Sequence, residues 1–142
     1  MLPEKDLLIL KHLRNNARKT LTSISKETGI PTSTVFDRLR AHEKNIIKKY
    51  TSIVDFPKLG YSIRAKIMLE AKNKEDILKF LLTSPSTNSL YQISGRFDLL
   101  ADCIFKDMKE LYAFLDELEK FDIKKEFHHV INEIKREDFF SI

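Results

Sequence analysis

Between Thr32 and Lys49 the chain sets out hydroxyls, a carboxylate, guanidinium groups and paired ammonium groups in an order that suits a nucleic-acid duplex. Thr32, Ser33 and Thr34 come first, Phe36, Asp37, Arg38 and Arg40 follow, and Lys48 and Lys49 close the run. A guanidinium can donate in a fork to guanine, a carboxylate can accept from cytosine, and an apolar ring can touch a thymine methyl. Arg40 is the candidate for guanine and Phe36 for the methyl, although Phe36 stands next to Val35 and suits a core equally well. Asp37 either accepts from cytosine or orients Arg38 or Arg40. Arg38 suits a phosphate, or a brace within the domain, better than a base. Lys48, Lys49 and Arg18 would hold the phosphate backbone, which adds affinity without sequence information. For each lysine the plain alternative is a solvated surface charge.

Such groups need a helix that can enter a groove. Ser25 is small, Gly29 follows four residues later, and Ile24, Ile30, Val35 and Leu39 surround them. This spacing predicts a helix-turn-helix: a small residue where two helices cross, and a turn residue that tolerates positive φ. The second helix would be free to lie in the major groove. An ordinary helical hairpin is the alternative for this stretch taken alone. Leu7, Leu10 and Leu13, with Ile9 beside them, predict a first helix from Glu4 to Arg14. Thr20 is the expected cap of the second helix, and Thr32 or Ser33 that of the third, which should reach Lys44. Ile46 to Val54 reads as an extended, basic strand, and 55–60 as a turn.

Charge supports a division at this point. Residues 1–60 hold 12 Lys/Arg against 6 Asp/Glu, whereas 61–142 hold 13 against 15. The basic balance therefore belongs to the amino-terminal segment, as phosphate binding requires.

The second part has a different rhythm. Ile63, Ala65, Ile67 and Leu69 alternate with polar neighbours as a half-buried strand does. A helix over Asn73 to Leu82 follows, then a strand over Leu90 to Ser94, a hairpin turn at Gly95-Arg96-Phe97-Asp98, and a returning strand over Leu99 to Phe105. Asp107 and Glu110 form a capping box for a helix striped by Leu111, Leu115 and Leu118. A last strand should cover Lys125 to Ile134. The expected fold class is α+β: a winged-type helix-turn-helix domain (1–50), a linker strand and turn (51–60), and a ferredoxin-like βαββαβ domain (61–142).

Little here suggests catalysis. Cys103 is the single cysteine, so no intrachain disulfide and no cysteine-based metal cluster can form. It alternates with Leu99, Ala101 and Phe105, as a small core residue would. His128 and His129 point to opposite faces of a strand and cannot share an ion. His12 and His42 have no ligand-spaced partner. With three glycines there is no Gly-rich phosphate loop. No metal, cofactor or membrane partner is expected, and the cytoplasm is the expected location.

Asn16-Ala17-Arg18, Val35-x-x-Arg38-Leu39, Ile46-Ile47-Lys48-Lys49-Tyr50, Leu59-Gly60 and Gly95-x-x-Asp98, in this order, resemble the Lrp/AsnC (feast/famine) family of transcriptional regulators. The resemblance covers nearly the whole chain. It implies a DNA-binding domain on double-stranded DNA, followed by an effector and oligomerisation domain. It also implies homodimers that assemble further, to tetramers or octamers, and an amino-acid effector held between dimers. The effector residues it implies are Gly95, Arg96 and Asp98, with His128 in the last strand. Backbone N–H groups of the loop would take the effector's carboxylate, and Asp98 its ammonium group; the plain alternative is that Gly-x-x-Asp makes a good hairpin turn with no ligand.

The chain departs from the family where Pro31 replaces a capping Ser, His42 a common Leu, Asn45 a Gly, and His128 a frequent Thr. Two other functions share much of the pattern. Sirohaem decarboxylases resemble the family in both halves, but typically carry a His-x-Tyr-Asn-like hairpin where this chain has Arg96-Phe97-Asp98. A weakly specific, architectural DNA-binding protein would use the same cations.

Overall fold

The computed structural model describes residues 1–138. The chain forms two compact units: residues 1–53 together with the tail from Ile134, and residues 54–133. The tail thus belongs with the first unit, whereas the sequence placed all of 61–142 in the second domain; residues 139–142 of that span lie outside the described residues.

In the first unit, α1 spans Glu4–Asn15, α2 Leu21–Thr28 and α3 Thr32–Asn45. Acids Glu4 and Asp6 stand in the first turn of α1, where the helix dipole favours negative charge. Thr20 caps α2 as expected, its Oγ1 accepting from the Ser23 N–H at 3.1 Å. Gly29 ends α2 at φ 75°, and its N–H donates to the Ser25 carbonyl. The Ser25 hydroxyl then donates to the Ile30 carbonyl at 2.5 Å, which ties the turn to the crossing point.

The expected cap of α3 is not found. Pro31 takes the capping position and offers no side-chain acceptor, so Thr32 is already helical. Asn45 likewise stays inside the helix rather than in a left-handed turn, and its side chain donates to the Ala41 carbonyl at 3.0 Å. Ile9, Ile24 and Val35 are fully buried, with Leu13 and Ile30 completing a small core. The linker expected as a strand over 46–54 forms no ladder, because the described residues supply no neighbouring strand.

The second unit opens with a short 3-10 turn, Pro57–Leu59. It continues as β1 (Ile63–Ala71), α4 (Lys74–Thr83), β2 (Thr87–Gln92), β3 (Leu99–Phe105), α5 (Met108–Leu118) and β4 (Ile123–His129). This is the expected βαββαβ order. The sheet is antiparallel with strand order β2-β3-β1-β4. One face of β1 (Ala65, Ile67, Leu69, Ala71) and of β3 (Leu99, Ala101, Cys103, Phe105) packs on Ile77, Leu81, Leu111, Phe114, Leu115 and Leu118 of α4 and α5. The other face carries Arg64, Lys66, Met68 and Glu70 of β1 beside Leu100, Asp102 and Ile104 of β3, since residues alternate across a strand.

Two strands differ from expectation. β2 runs from Thr87 to Gln92, starting three residues before the expected Leu90 and ending two before Ser94, with the Ile93 N–H still donating to the Asp98 carbonyl at 2.8 Å across the hairpin. β4 stops at His129: after the Val130 N–H reaches the Arg64 carbonyl, β1 has one residue left to pair. In α5 the capping box forms with a shift. Asp107 accepts from the Glu110 N–H at 2.9 Å, but Glu110 reaches back to the N–H of Lys106, one residue before the cap.

Candidate DNA-reading helix and effector loop

Helix α3 has one buried and one open side. Val35 is buried and Leu39 packs beside it, whereas Thr32, Ser33, Phe36, Asp37, Arg38 and Arg40 are exposed and Thr34 is half-buried. Phe36 is 46 % exposed, so of its two sequence readings the core one does not hold. The Arg40 guanidinium lies over the Phe36 ring at 5.6 Å, an arrangement that stiffens both side chains on the open face. Arg38 reaches back toward α1, where its Nη1 lies 3.6 Å from the buried carboxylate of Asp6. Arg18, Lys48 and Lys49 are exposed, and the Arg18 N–H is held by the Asn16 side chain at 3.0 Å.

The turn between α1 and α2 has its own polar bracket. Lys19 Nζ sits 2.7 Å from His12 Nδ1 and also contacts Glu27 of α2. The hydrogen bond from Lys19 holds the Glu27 carboxyl below its ordinary range.

The hairpin of the second unit is tightly organised. Gly95 has φ 111°, a conformation that disfavours any other L residue, and open space lies where a Cβ would point. Arg96 is exposed and its guanidinium lies 5.1 Å from the Phe97 ring. Asp98 is already engaged: its N–H donates to the Leu69 carbonyl, its Oδ2 accepts from the Ala71 N–H at 3.1 Å, and its Oδ1 faces Lys74 Nζ at 3.4 Å. An incoming ammonium group would therefore have to share or displace Lys74.

His128 is not brought to this loop within one subunit. It pairs with Lys66, three residues along β1 from Leu69, or roughly 10 Å at strand rise. The β4 residue level with Leu69 is Lys125. His128 instead contacts Glu126 on its own strand at 3.2 Å.

A charged cluster occupies the open sheet face. Arg64 donates from Nε and Nη2 to the two carboxylate oxygens of Asp102, at 2.9 and 2.7 Å, and also contacts Glu133; Lys66 Nζ lies 3.2 Å from Asp102. Burial by itself would raise the Asp102 carboxyl, but the bond from Arg64 and the charges of Lys66 and Arg64 hold it below its ordinary value. Behind it, burial pushes the Cys103 thiol up to about 12, so this thiol is inert packing. Among the described residues no group of three His, Cys, Asp or Glu could hold a metal ion, and no helix is long and apolar enough to cross a membrane.

Comparison with known proteins fits this geometry. Residues 2–45 match the winged helix-turn-helix DNA-binding model, and residues 64–138 match the Lrp/AsnC ligand-binding domain. The chain belongs to the Lrp/AsnC family of transcriptional regulators. It is 36 % identical over 118 residues to the HTH-type transcriptional regulator FL11 of Pyrococcus horikoshii, covering 81 % of this chain and 78 % of that one. It is equally 36 % identical over 120 residues to the HTH-type transcriptional regulator Ptr1 of Methanocaldococcus jannaschii, covering 82 % and 81 %. The fold matches that of Bacillus subtilis LrpC, with a TM-score of 0.87, 23 % identity and coverage of 95 % and 98 %. It also matches a Neisseria meningitidis transcriptional regulator in complex with L-methionine, with a TM-score of 0.87, 24 % identity and coverage of 96 % and 94 %.

Within this Lrp/AsnC regulator, sequence reasoning missed the buried polar residues of the DNA-binding unit. The signal was present. Asp6, Ile9, Leu10 and Leu13 share one helical stripe, and so do Val35, Leu39 and His42. A carboxylate and an imidazole on facing apolar stripes must meet something polar, and they meet each other.

Proposed function

We propose that this regulator is a homodimer, able to assemble further, that reads specific duplex DNA with α3 and responds to an amino acid or similar small molecule at the Gly95–Asp98 loop. The observation that carries the reading is the one-sided burial of α3, which leaves Thr32, Ser33, Phe36, Asp37 and Arg40 exposed in a basic unit. Arg40 donates to guanine and Phe36 covers a thymine methyl. Thr32, Ser33, Thr34 and Asp37 complete the groove contacts. Lys48, Lys49, Arg18 and Arg38 hold phosphates.

Dimerisation is supported by the sheet face opposite α4 and α5, where Met68, Leu100 and Ile104 are half-buried and the described residues of the second unit supply no helix or strand as a further layer. Two copies would present two α3 helices to half-sites about one helical turn apart, or a multiple of it. Gly95, Arg96 and Asp98 bind the effector between dimers, with His128 supplied by a neighbouring subunit; ligand binding thereby shifts assembly and DNA occupancy. The protein works in the cytoplasm, without a cofactor, and is not an enzyme.

The test is a footprint on DNA upstream of its own gene at ~150 mM salt, where nonspecific binding is suppressed. Discrete, phased protection that changes with a pooled amino-acid mixture is expected. Uniform coverage would favour an architectural DNA-binding protein, and uptake of a coloured tetrapyrrole would favour a decarboxylase.

A further inference from the structure

Asp6 is 2 % exposed, and its two carboxylate oxygens go to two different residues of α3. Oδ1 accepts from His42 Nε2 at 2.9 Å, and Oδ2 faces Arg38 Nη1 at 3.6 Å. Arg38 and His42 are four residues apart, so they lie one turn apart on the same face. An uncompensated carboxylate at this depth would be costly, so the contacts are obligatory for the observed packing. Buried charge networks of this kind are often no more stabilising than apolar residues of equal volume. What such a network adds is geometry.

Helix α3 has little else to fix its roll. Val35 is its one buried apolar residue, and Leu39 is partly covered. Where the apolar stripe should continue after Leu39, His42 stands instead. Successive side chains are separated by about 100° around a helix, so a modest roll exchanges which of Phe36, Asp37 and Arg40 leads into a groove. Two polar contacts from one carboxylate, to positions one turn apart, fix both roll and height. Arg38 is half-exposed, so donors not directed at Asp6 remain open to solvent.

We propose that Asp6, acting through His42 and Arg38, is the positioning residue of DNA reading in this chain. It sets the roll of α3 about its own axis, and it holds Arg38 where the free edge of its guanidinium meets one phosphate. This inference rests on α3 being the reading helix, and the measurement below separates failure of the one from failure of the other.

The experiment measures the affinity of the full chain for its footprinted operator and for a random duplex at several salt concentrations, with a thermal melt of every variant. Asp6→Asn keeps the volume and an acceptor for His42 but removes the charge facing Arg38. His42→Leu fills the space without bonding to Asp6. Each should lower the operator-to-random ratio about tenfold, within the range of losing one good base contact. Random-duplex affinity should change by less than about threefold, and the salt slope by no more than about one unit. The double variant should fall short of the sum of the two single effects, because both substitutions act on contacts of the same carboxylate.

A purely structural role would lower both affinities in step with the folded fraction, and that result overturns the proposal. An unchanged ratio in folded variants overturns it too. If Asp6→Asn does not fold, His42→Gln, which keeps a donor at this site, should restore the ratio relative to His42→Leu; a ratio no better than that of His42→Leu would overturn it. If the unaltered protein shows no preference for its operator, the reading of α3 itself falls, and this proposal with it.

Discussion

The two units fill their interiors differently. The second unit buries a continuous apolar layer in which Ile67, Leu69, Ile77, Leu81, Phe105 and Leu111 are fully covered. Its one buried acid, Asp102, lies on the opposite sheet face. The first unit has a small apolar centre around Ile9, Ile24 and Val35, and places Asp6, His12 and His42 among its buried side chains. Apolar contact is non-directional and sums over area, which suits a scaffold. Hydrogen-bonded polar pairs add less net stability but specify which atoms meet, which suits a unit that must present one helix face in one orientation.

The largest expected effect tests the apolar side of this contrast. Phe105→Ala removes a fully buried ring that packs 5.3 Å from Phe114. It should cost the second unit about 3–5 kcal/mol in denaturant unfolding. A loss below about 1 kcal/mol, the range of surface substitutions, would mean that this layer is not the scaffold.

The next tests lie on the open face of α3. Arg40→Ala should relax preference at one or two base positions by about 1–3 kcal/mol, read from a panel of operator variants. Lys49→Ala should weaken all duplexes alike and reduce the salt slope by about one unit. Equal behaviour of the two variants across the panel would remove the division between reading and holding.

A smaller effect belongs to the cap of α2. Thr20→Ala removes the acceptor of the Ser23 N–H and should cost about 1 kcal/mol in a thermal or denaturant melt.

The smallest concerns pH. The Asp102 carboxyl is held below its ordinary value, so its contribution to stability is present above about pH 4, the unfolded value. That contribution is lost as pH falls through the lower, folded value. Acid titration of Asp102→Asn should therefore show a shallower loss of stability in this window than the parent; identical curves would place the acid sensitivity elsewhere.

Much of this architecture was legible in the residues because local rules and tertiary packing agree. Alternation in Ile63–Leu69 gave β1, Gly29 and Gly95 marked turns that need positive φ, and the cap at Thr20 formed as read. Errors gathered where a neighbour decides. The end of β4 depends on where β1 begins, and the linker needs a second strand before it can be one. The third helix starts at Thr32 because Pro31 occupies the capping position without an acceptor to offer.

The candidate site divides in the same way. The basic, hydroxyl-bearing face of α3 follows from residue types and helical period alone. The engagement of Asp98 by Ala71 and Lys74 joins residues far apart in the chain, as does the distance of His128 from the hairpin. The sequence by itself determined the order of the elements and the exposed groups of α3, since periodicity and charge are local properties, and its motifs in order carried the resemblance to the family. Only the tertiary structure decided that Arg38 lies against the Asp6 carboxylate, and that Asp6 and His42 meet across two helices. Which polar groups satisfy each other inside a core depends on packing geometry, which no single segment contains.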